Sequence, residues 1–263
     1  MEKRTTGIVH AYKKAGARIG TRARVKLSTK QDFALFYTPG VGVASLHLAR
    51  TPADARKMSV KRNAVAVISD GSAVLGLGDI GPYGALPVME GKALIFRELA
   101  DIDAWPLVLD LSAKGDAEAR IEEIVRTVRA IAPAFGGINL EDIKAPECFE
   151  VERRLIEALD IPVMHDDQHG TAIVVLAGLM NAAKVAKKPL RRLKVVIAGA
   201  GAAGTAVAKL LVHAGLADVI VLDRKGIIAQ KRGGLSGMKK ELAKHTNPGN
   251  VKGDLRAALA GAD

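Results

Sequence analysis

Short apolar runs of strand length alternate with longer stretches of helical period along the first two thirds of this chain. The runs fall at residues 64–69, 107–110, 137–140 and 163–165, and the helical stretches between them at 87–100, 116–132 and 146–159. Two of those stretches open on proline, whose fixed φ and missing N–H suit a first helical turn. Runs that are apolar throughout, rather than alternating, belong in strands buried on both faces. The resulting β-α-β-α-β-α-β order predicts a parallel sheet covered by helices, an α/β fold. A further helix, about 168–186, leads into a basic link at 187–194 that contains Pro189. We place the domain boundary there, with a first domain at 1–186 and a second at 187–263.

The second domain opens on the apolar run Val195-Val196-Ile197-Ala198. The turn Gly199-Ala200-Gly201-Ala202-Ala203-Gly204 follows, then a helix to about His213, then a strand at 219–222 that ends on Asp223. Gly-x-Gly-x-x-Gly alone is a weak signal in a chain with 27 glycines. Its context here is that of a dinucleotide-binding turn: strand before, helix after, and an acidic residue at the end of the next strand. Gly199 would allow the tight turn, Gly201 the approach of a pyrophosphate, and Gly204 close helix–strand packing. An ordinary glycine-rich turn is the plainer alternative. Asp223 would accept from ribose hydroxyls, which favours NAD, whereas Arg224 and Lys225 could hold a 2′-phosphate, so NAD and NADP both stay open. A complete fold of this kind has about six strands. Only two are expected here, followed by a loop-rich stretch at 225–250 and helices near 239–244 and 255–260. The chain is therefore expected to be the N-terminal part of a longer enzyme.

Two acidic pairs sit at strand ends, Glu141-Asp142 after 137–140 and Asp166-Asp167 after 163–165. Carboxyl ends of parallel strands line the ligand crevice of such sheets. Carboxylates converging there repel unless a cation lies between them, and an all-oxygen set suits Mg²⁺ or Mn²⁺. Helix capping by Asp142 and Asp167 is the alternative. His165 and His169, which flank the second pair, are expected to be hydrogen-bonding residues rather than ligands. Glycine-rich turns at 37–42, 69–84 and 90–92 are candidates for substrate contact. Lys92 lies in a very apolar helical stretch, where it could act as a base or else snorkel to the surface.

Composition narrows the class. Of a formal charge of +11, the first 30 residues carry nine Lys/Arg and one Glu, a basic arm. With only 3% aromatics there is no stacking platform for bases, and no zinc-finger spacing occurs, so nucleic acid is not an expected partner. Attraction of anionic substrates is the milder use of that charge. The single cysteine, Cys148, excludes an internal disulfide and fits a reducing, cytoplasmic setting. The longest nearly uncharged apolar stretch, 170–183, is too short to span a bilayer, so no membrane role is expected.

Taken together, the motifs resemble malic enzyme, the divalent-metal- and NAD(P)-dependent oxidative decarboxylase of malate, in its short prokaryotic type. The resemblance rests on Tyr37-Thr38-Pro39-Gly40-Val41, on Val67-Ile68-Ser69-Asp70-Gly71 running into Leu75-Gly76-Leu77-Gly78-Asp79-Ile80-Gly81, and on Leu86-Pro87-Val88-Met89-Glu90-Gly91-Lys92. It continues through residues 135–146, through His165-Asp166-Asp167-Gln168-His169-Gly170-Thr171-Ala172, and into the Gly199–Gly204 turn. The resemblance implies that Tyr37 is the general acid and Lys92 the general base. It implies that Glu141, Asp142 and Asp167 are the metal ligands, with Asp166 giving hydrogen-bond support. The backbone of Ala200, Gly201, Ala202 and Ala203 would meet the pyrophosphate.

The same resemblance implies the substrates malate and pyruvate and a homodimer. One departure stands out. Longer members carry a malate-binding arginine at the position of Ala73 here. An amino-acid dehydrogenase, or a non-catalytic fragment that binds metal or small acids, are the alternative readings.

Overall fold

The computed structural model describes residues 2–112, 115–235 and 237–263. The basic arm opens with α1 (Glu2–Ala15), and α2 (Lys30–Phe36), α3 (Gly40–Arg50) and the short α4 (Ala55–Met58) follow. A reciprocal cap starts α2: Thr29 Oγ1 accepts from the Asp32 N–H, and Asp32 accepts from the Thr29 N–H. None of α2, α3 or α4 buries a residue. Arg18 ties the arm down, with Nε 3.2 Å from Glu90 Oε2 and its guanidinium 4.7 Å from the centre of the Tyr12 ring.

The α/β order then begins: β1 (Ala64–Ser69), α5 (Gly81–Ala100), β2 (Asp103–Val108), α6 (Ala117–Ile131), β3 (Gly137–Leu140), α7 (Glu147–Ala158), β4 (Val163–His165) and α8 (Asp166–Val185). The four strands form one sheet in the order β2-β1-β3-β4, with β1 and β2 parallel from Ala64↔Asp103 to Ser69↔Val108. After it come β5 (Lys194–Ala198), α9 (Ala202–His213), β6 (Asp218–Asp223), β7 (Gly226–Ile227), α10 (Gly237–His245) and α11 (Leu255–Leu259). Their strands make a second sheet, β5-β6-β7. The pair β5–β6 is parallel, as expected; β7, which the sequence reading did not contain, turns back antiparallel on β6.

The chain divides into two compact units, 1–113 with 126–139 and 158–162, and 114–125 with 140–157 and 163–263. Val67, Val74, Ala85, Met89 and Ala93 centre the core of the first. Val207, Leu211, Val219, Val221, Ile228 and Leu242 centre a core of the second.

The α/β class and the parallel strands match the sequence reading, and three details correct it. Strand β2 begins at Asp103 rather than 107, and carries Pro106 within it. Helix α5 begins at Gly81, so Pro82 occupies its first turn and Pro87 lies in its interior. Helix α8 starts at Asp166, two residues earlier than expected. Among the described residues no helix is long and apolar enough to cross a membrane.

Candidate functional site

Strand β3 is buried along its whole length and delivers Glu141 and Asp142 at its carboxyl end, where both are buried. Strand β4 ends directly in α8, so Asp166 and Asp167 occupy the first turn of that helix, where the positive end of the helix dipole favours anions. The two ends meet. The Asp142 backbone N–H donates to Asp167 Oδ2 at 2.9 Å. Glu141, Asp142 and Asp167 each offer a carboxylate oxygen, and these atoms lie within 4.8 Å of one another. Asp142 holds φ = 54°, a left-handed backbone that non-glycine residues reach at a cost, and such outliers collect at functional sites. The capping alternative does not hold for either residue: Asp142 lies ahead of α7 by several residues, and Asp167 is inside α8.

Three carboxylates this close, two of them buried, are a donor set for a hard divalent cation, and the chemistry of the residues present fits Mg²⁺ or Mn²⁺.

Glu152 on α7 supports this corner, a role the sequence reading missed. It is 7% exposed. Its carboxylate accepts the His165 backbone N–H at 2.8 Å and Gln168 Nε2 at 3.1 Å, and lies 2.9 Å from His169 Nε2. Burial raises the Glu152 carboxyl, but His169 and the His165 N–H outweigh it and leave the group below its ordinary value. The signal was present in α7, where Cys148, Val151, Glu152 and Leu155 form one buried helical stripe with an acid inside it. His165 is fully buried, and its Nε2 stands 3.4 Å from Asp167 Oδ2. Burial lowers its imidazole, against the opposing charges of Asp167 and Glu152.

The glycine turn stands in the same unit. Gly199 has φ = 135°, which only glycine adopts without strain, and its N–H bonds Leu222 O at 3.0 Å. A Cβ on Gly204 would collide with the Gly199 carbonyl. Gly201 is different: its φ is −85° and no atom lies within 4 Å of the place a Cβ would take. It precedes α9 without any side-chain cap, so the first N–H groups of α9, from Ala202 and Ala203 onward, open into space beside Gly201. An open groove of about 550 Å³ runs along β5 and this turn, with Val175 and Leu179 on its other wall.

Asp223 closes β6 one residue beyond the Ala198↔Leu222 pair, and so stands beside the turn. Its carboxylate is engaged by Arg232 through both guanidinium nitrogens (3.0 and 2.7 Å), by Lys239 Nζ at 2.7 Å and by the Lys225 N–H at 2.8 Å. Arg232 above all, with Lys239 and the Lys225 N–H, holds this carboxyl well below the usual range against the opposing effect of burial. Arg232 and Lys239 were not foreseen as site residues: Arg232 comes from the loop after β7 and Lys239 from α10, and neither adjoins Asp223 in the chain.

In the first unit, Tyr37 caps the end of α2, is 66% exposed, and accepts the Val41 N–H at 2.7 Å through its carbonyl. Lys92 is half-buried on α5, three residues after the buried Met89.

Comparison with known proteins matches residues 17–156 to the malic enzyme N-terminal domain and residues 168–260 to the malic enzyme NAD binding domain. The chain is 52% identical over 94% of its length to an NAD-dependent malic enzyme of Geobacillus stearothermophilus, of which it covers 50%. It is 44% identical over 99% of its length to an NADP-dependent malic enzyme of Halomonas elongata, covering 60% of that protein. A crystal structure of an NAD-dependent malic enzyme from Thermotoga maritima superposes with a TM-score of 0.89 at 45% identity, over 97% of this chain and 66% of that one. The chain thus spans half to three-fifths of the length of these curated relatives.

Proposed function

The chain belongs to the malic enzyme family, and from that premise we propose that it carries the residues for NAD(P)-linked oxidative decarboxylation of malate to pyruvate and CO₂. The observation that carries the proposal is the convergence of Glu141, Asp142 and Asp167 on one point. These three would hold Mg²⁺ or Mn²⁺, which when bound supplies Lewis-acid polarisation of the substrate oxygens. Lys92 takes the proton of the malate hydroxyl, and a bound nicotinamide would supply the acceptor for the hydride of the carbon that bears it. Loss of the carboxyl β to the new carbonyl as CO₂ leaves the enolate of pyruvate, and Tyr37 returns a proton to its terminal carbon. Asp166 gives hydrogen-bond support beside the ligand pair. The backbone of Gly199, Ala200, Gly201, Ala202, Ala203 and Gly204 receives the pyrophosphate of NAD or NADP, and Asp223 stands at the ribose end.

We keep the functional division at 1–186 and 187–263, with proton-transfer and metal residues in the first part and the dinucleotide turn in the second. Family membership decides against the amino-acid dehydrogenase alternative. A homodimer is supported by α2 and α3, whose Phe33, Leu35, Phe36, Val43 and Leu46 are all exposed and bury nothing within the chain. A cytoplasmic setting is supported by the single cysteine.

The test is reduced-nicotinamide formation by the purified chain with malate, Mn²⁺ and NAD⁺ or NADP⁺, alongside Mn²⁺ binding followed by electron paramagnetic resonance. Turnover that EDTA abolishes, Mn²⁺ restores and Lys92→Ala loses is the expected result. A chain that folds cooperatively yet binds no Mn²⁺ overturns the reading.

A further inference from the structure

The ribose end of the dinucleotide turn is unusually rich in cations. In folds of this type a carboxylate with free lone pairs at the end of the second strand accepts from the 2′-hydroxyl, whereas a basic side chain nearby accommodates a 2′-phosphate. The Asp223 carboxylate receives four donors, two from Arg232 and one each from Lys239 and the Lys225 N–H. Four is about the full acceptor capacity of a carboxylate. For ribose hydroxyls to bond Asp223, they would have to displace charge-assisted bonds and replace them with weaker neutral ones. A phosphate brings its own acceptors and has no such cost.

The cations have different freedom. Arg232 is anchored, donating also to the carbonyls of Gly226 and Ile227, and its side chain is 20% exposed. It neutralises the charge that would otherwise repel a phosphate from Asp223. Lys239 is 41% exposed and attached at one atom, while Arg224 and Lys225 are exposed immediately after Asp223. These three can turn to an incoming dianion without leaving Asp223 unpaired.

We propose that Arg224, Lys225 and Lys239, with Arg232 masking Asp223, form a 2′-phosphate subsite that makes the chain select NADP over NAD. This rests on the dinucleotide-binding reading above and adds the phosphate state of the cofactor to it.

The experiment is calorimetric titration of the 263-residue chain at fixed salt with adenosine 2′,5′-bisphosphate, 5′-AMP, NADP⁺ and NAD⁺ in turn. The bisphosphate is expected to bind at least about tenfold tighter than 5′-AMP, the scale of one charge-assisted contact, and NADP⁺ to exceed NAD⁺ by a similar ratio. The double substitution Arg224→Gln with Lys239→Gln leaves the Arg232–Asp223 anchor in place, and is expected to bring both ratios to within about threefold. Binding of all four ligands without preference for the 2′-phosphate, or a preference that survives the double substitution, overturns the subsite and leaves the dinucleotide reading standing. A cooperatively folded chain that binds none of the four overturns both.

Discussion

Asp142 and Asp167 lie 25 residues apart in the chain and are joined by a hydrogen bond of 2.9 Å, backbone N–H of the first to Oδ2 of the second. The bond fixes one carboxylate against the strand end that supplies the other two, so the three carboxylates stand together without a cation. Without a cation their charges oppose one another. Asp167→Asn keeps an acceptor for the Asp142 N–H but removes a charge. The metal-free melting temperature should therefore rise. Mn²⁺ at about 100 times the wild-type Kd should stabilise the wild type by about 2.7 kcal/mol and this variant hardly at all. Thermal melts with and without Mn²⁺ measure both; a metal-free melting temperature lowered by the substitution would count against charge repulsion at the site.

Glu152 acts through the start of α8, since its carboxylate accepts the His165 N–H and Gln168 Nε2. Glu152→Gln places an amide where Gln168 and the His165 N–H both need an acceptor. We expect a loss of about 1–3 kcal/mol in urea unfolding and roughly 10–100-fold weaker Mn²⁺ binding, the scale of lost support behind a ligand. Unchanged Mn²⁺ affinity would confine Glu152 to stability.

The second and third glycines of the turn should part company. Gly204→Ala drives a methyl into the Gly199 carbonyl and should cost about 1–3 kcal/mol or more, as overpacking does. Gly201→Ala meets nothing within the chain and should stay within about 0.5 kcal/mol of wild type, yet lose dinucleotide binding. Denaturant melts and cofactor titration of both variants decide this, and equal effects of the two on stability would sink it.

The pH dependence follows from Asp223, whose folded pKa is depressed. A group of that kind contributes stability above its unfolded pKa, about 3.9, and loses it as pH falls through the folded value. The stability gap between wild type and Asp223→Asn should be about 1–3 kcal/mol at pH 7, the worth of hydrogen bonds to a charged group. It should shrink as pH falls below about 4. Unfolding curves at pH 7, 5 and 3.5 test it; a gap that widens in acid has the wrong sign.

Burial first, then the charges of Asp167 and Glu152, push the Cys148 thiol up to about 12. Only the thiolate reacts with alkylating agents. Iodoacetamide at pH 8 should leave Cys148 untouched in the folded protein and modify it fully in urea. Mass spectrometry reads the difference, and rapid native labelling would contradict the burial.

What the sequence showed depended on how completely each residue is buried. Strands β1 and β3 were placed to the residue because their apolar runs are buried almost throughout, and β4, which is only partly buried, because its short run stops at the pair Asp166-Asp167. Strand β2 was misplaced because it is a mostly half-buried edge strand with Pro106 inside it, and so shows no continuous buried apolar run. The glycines and prolines of 81–87 hid the first turns of α5. Helices α2 to α4 were invisible to a reading based on buried stripes, since they bury nothing. Among site residues, the acidic pairs and the glycine turn were legible from their positions at strand ends. Glu152, Arg232 and Lys239 were not, because their meaning lies in partners distant along the chain.

The unburied faces of α2 and α3 have a further consequence for solution behaviour. Phe33, Leu35, Phe36, Val43 and Leu46 stand exposed to water on two short helices. Salts that are excluded from protein surfaces, sulfate among them, strengthen the drive to cover such side chains, so ammonium sulfate should bring copies of the chain together at lower concentrations than it would a variant with polar residues on these two helices.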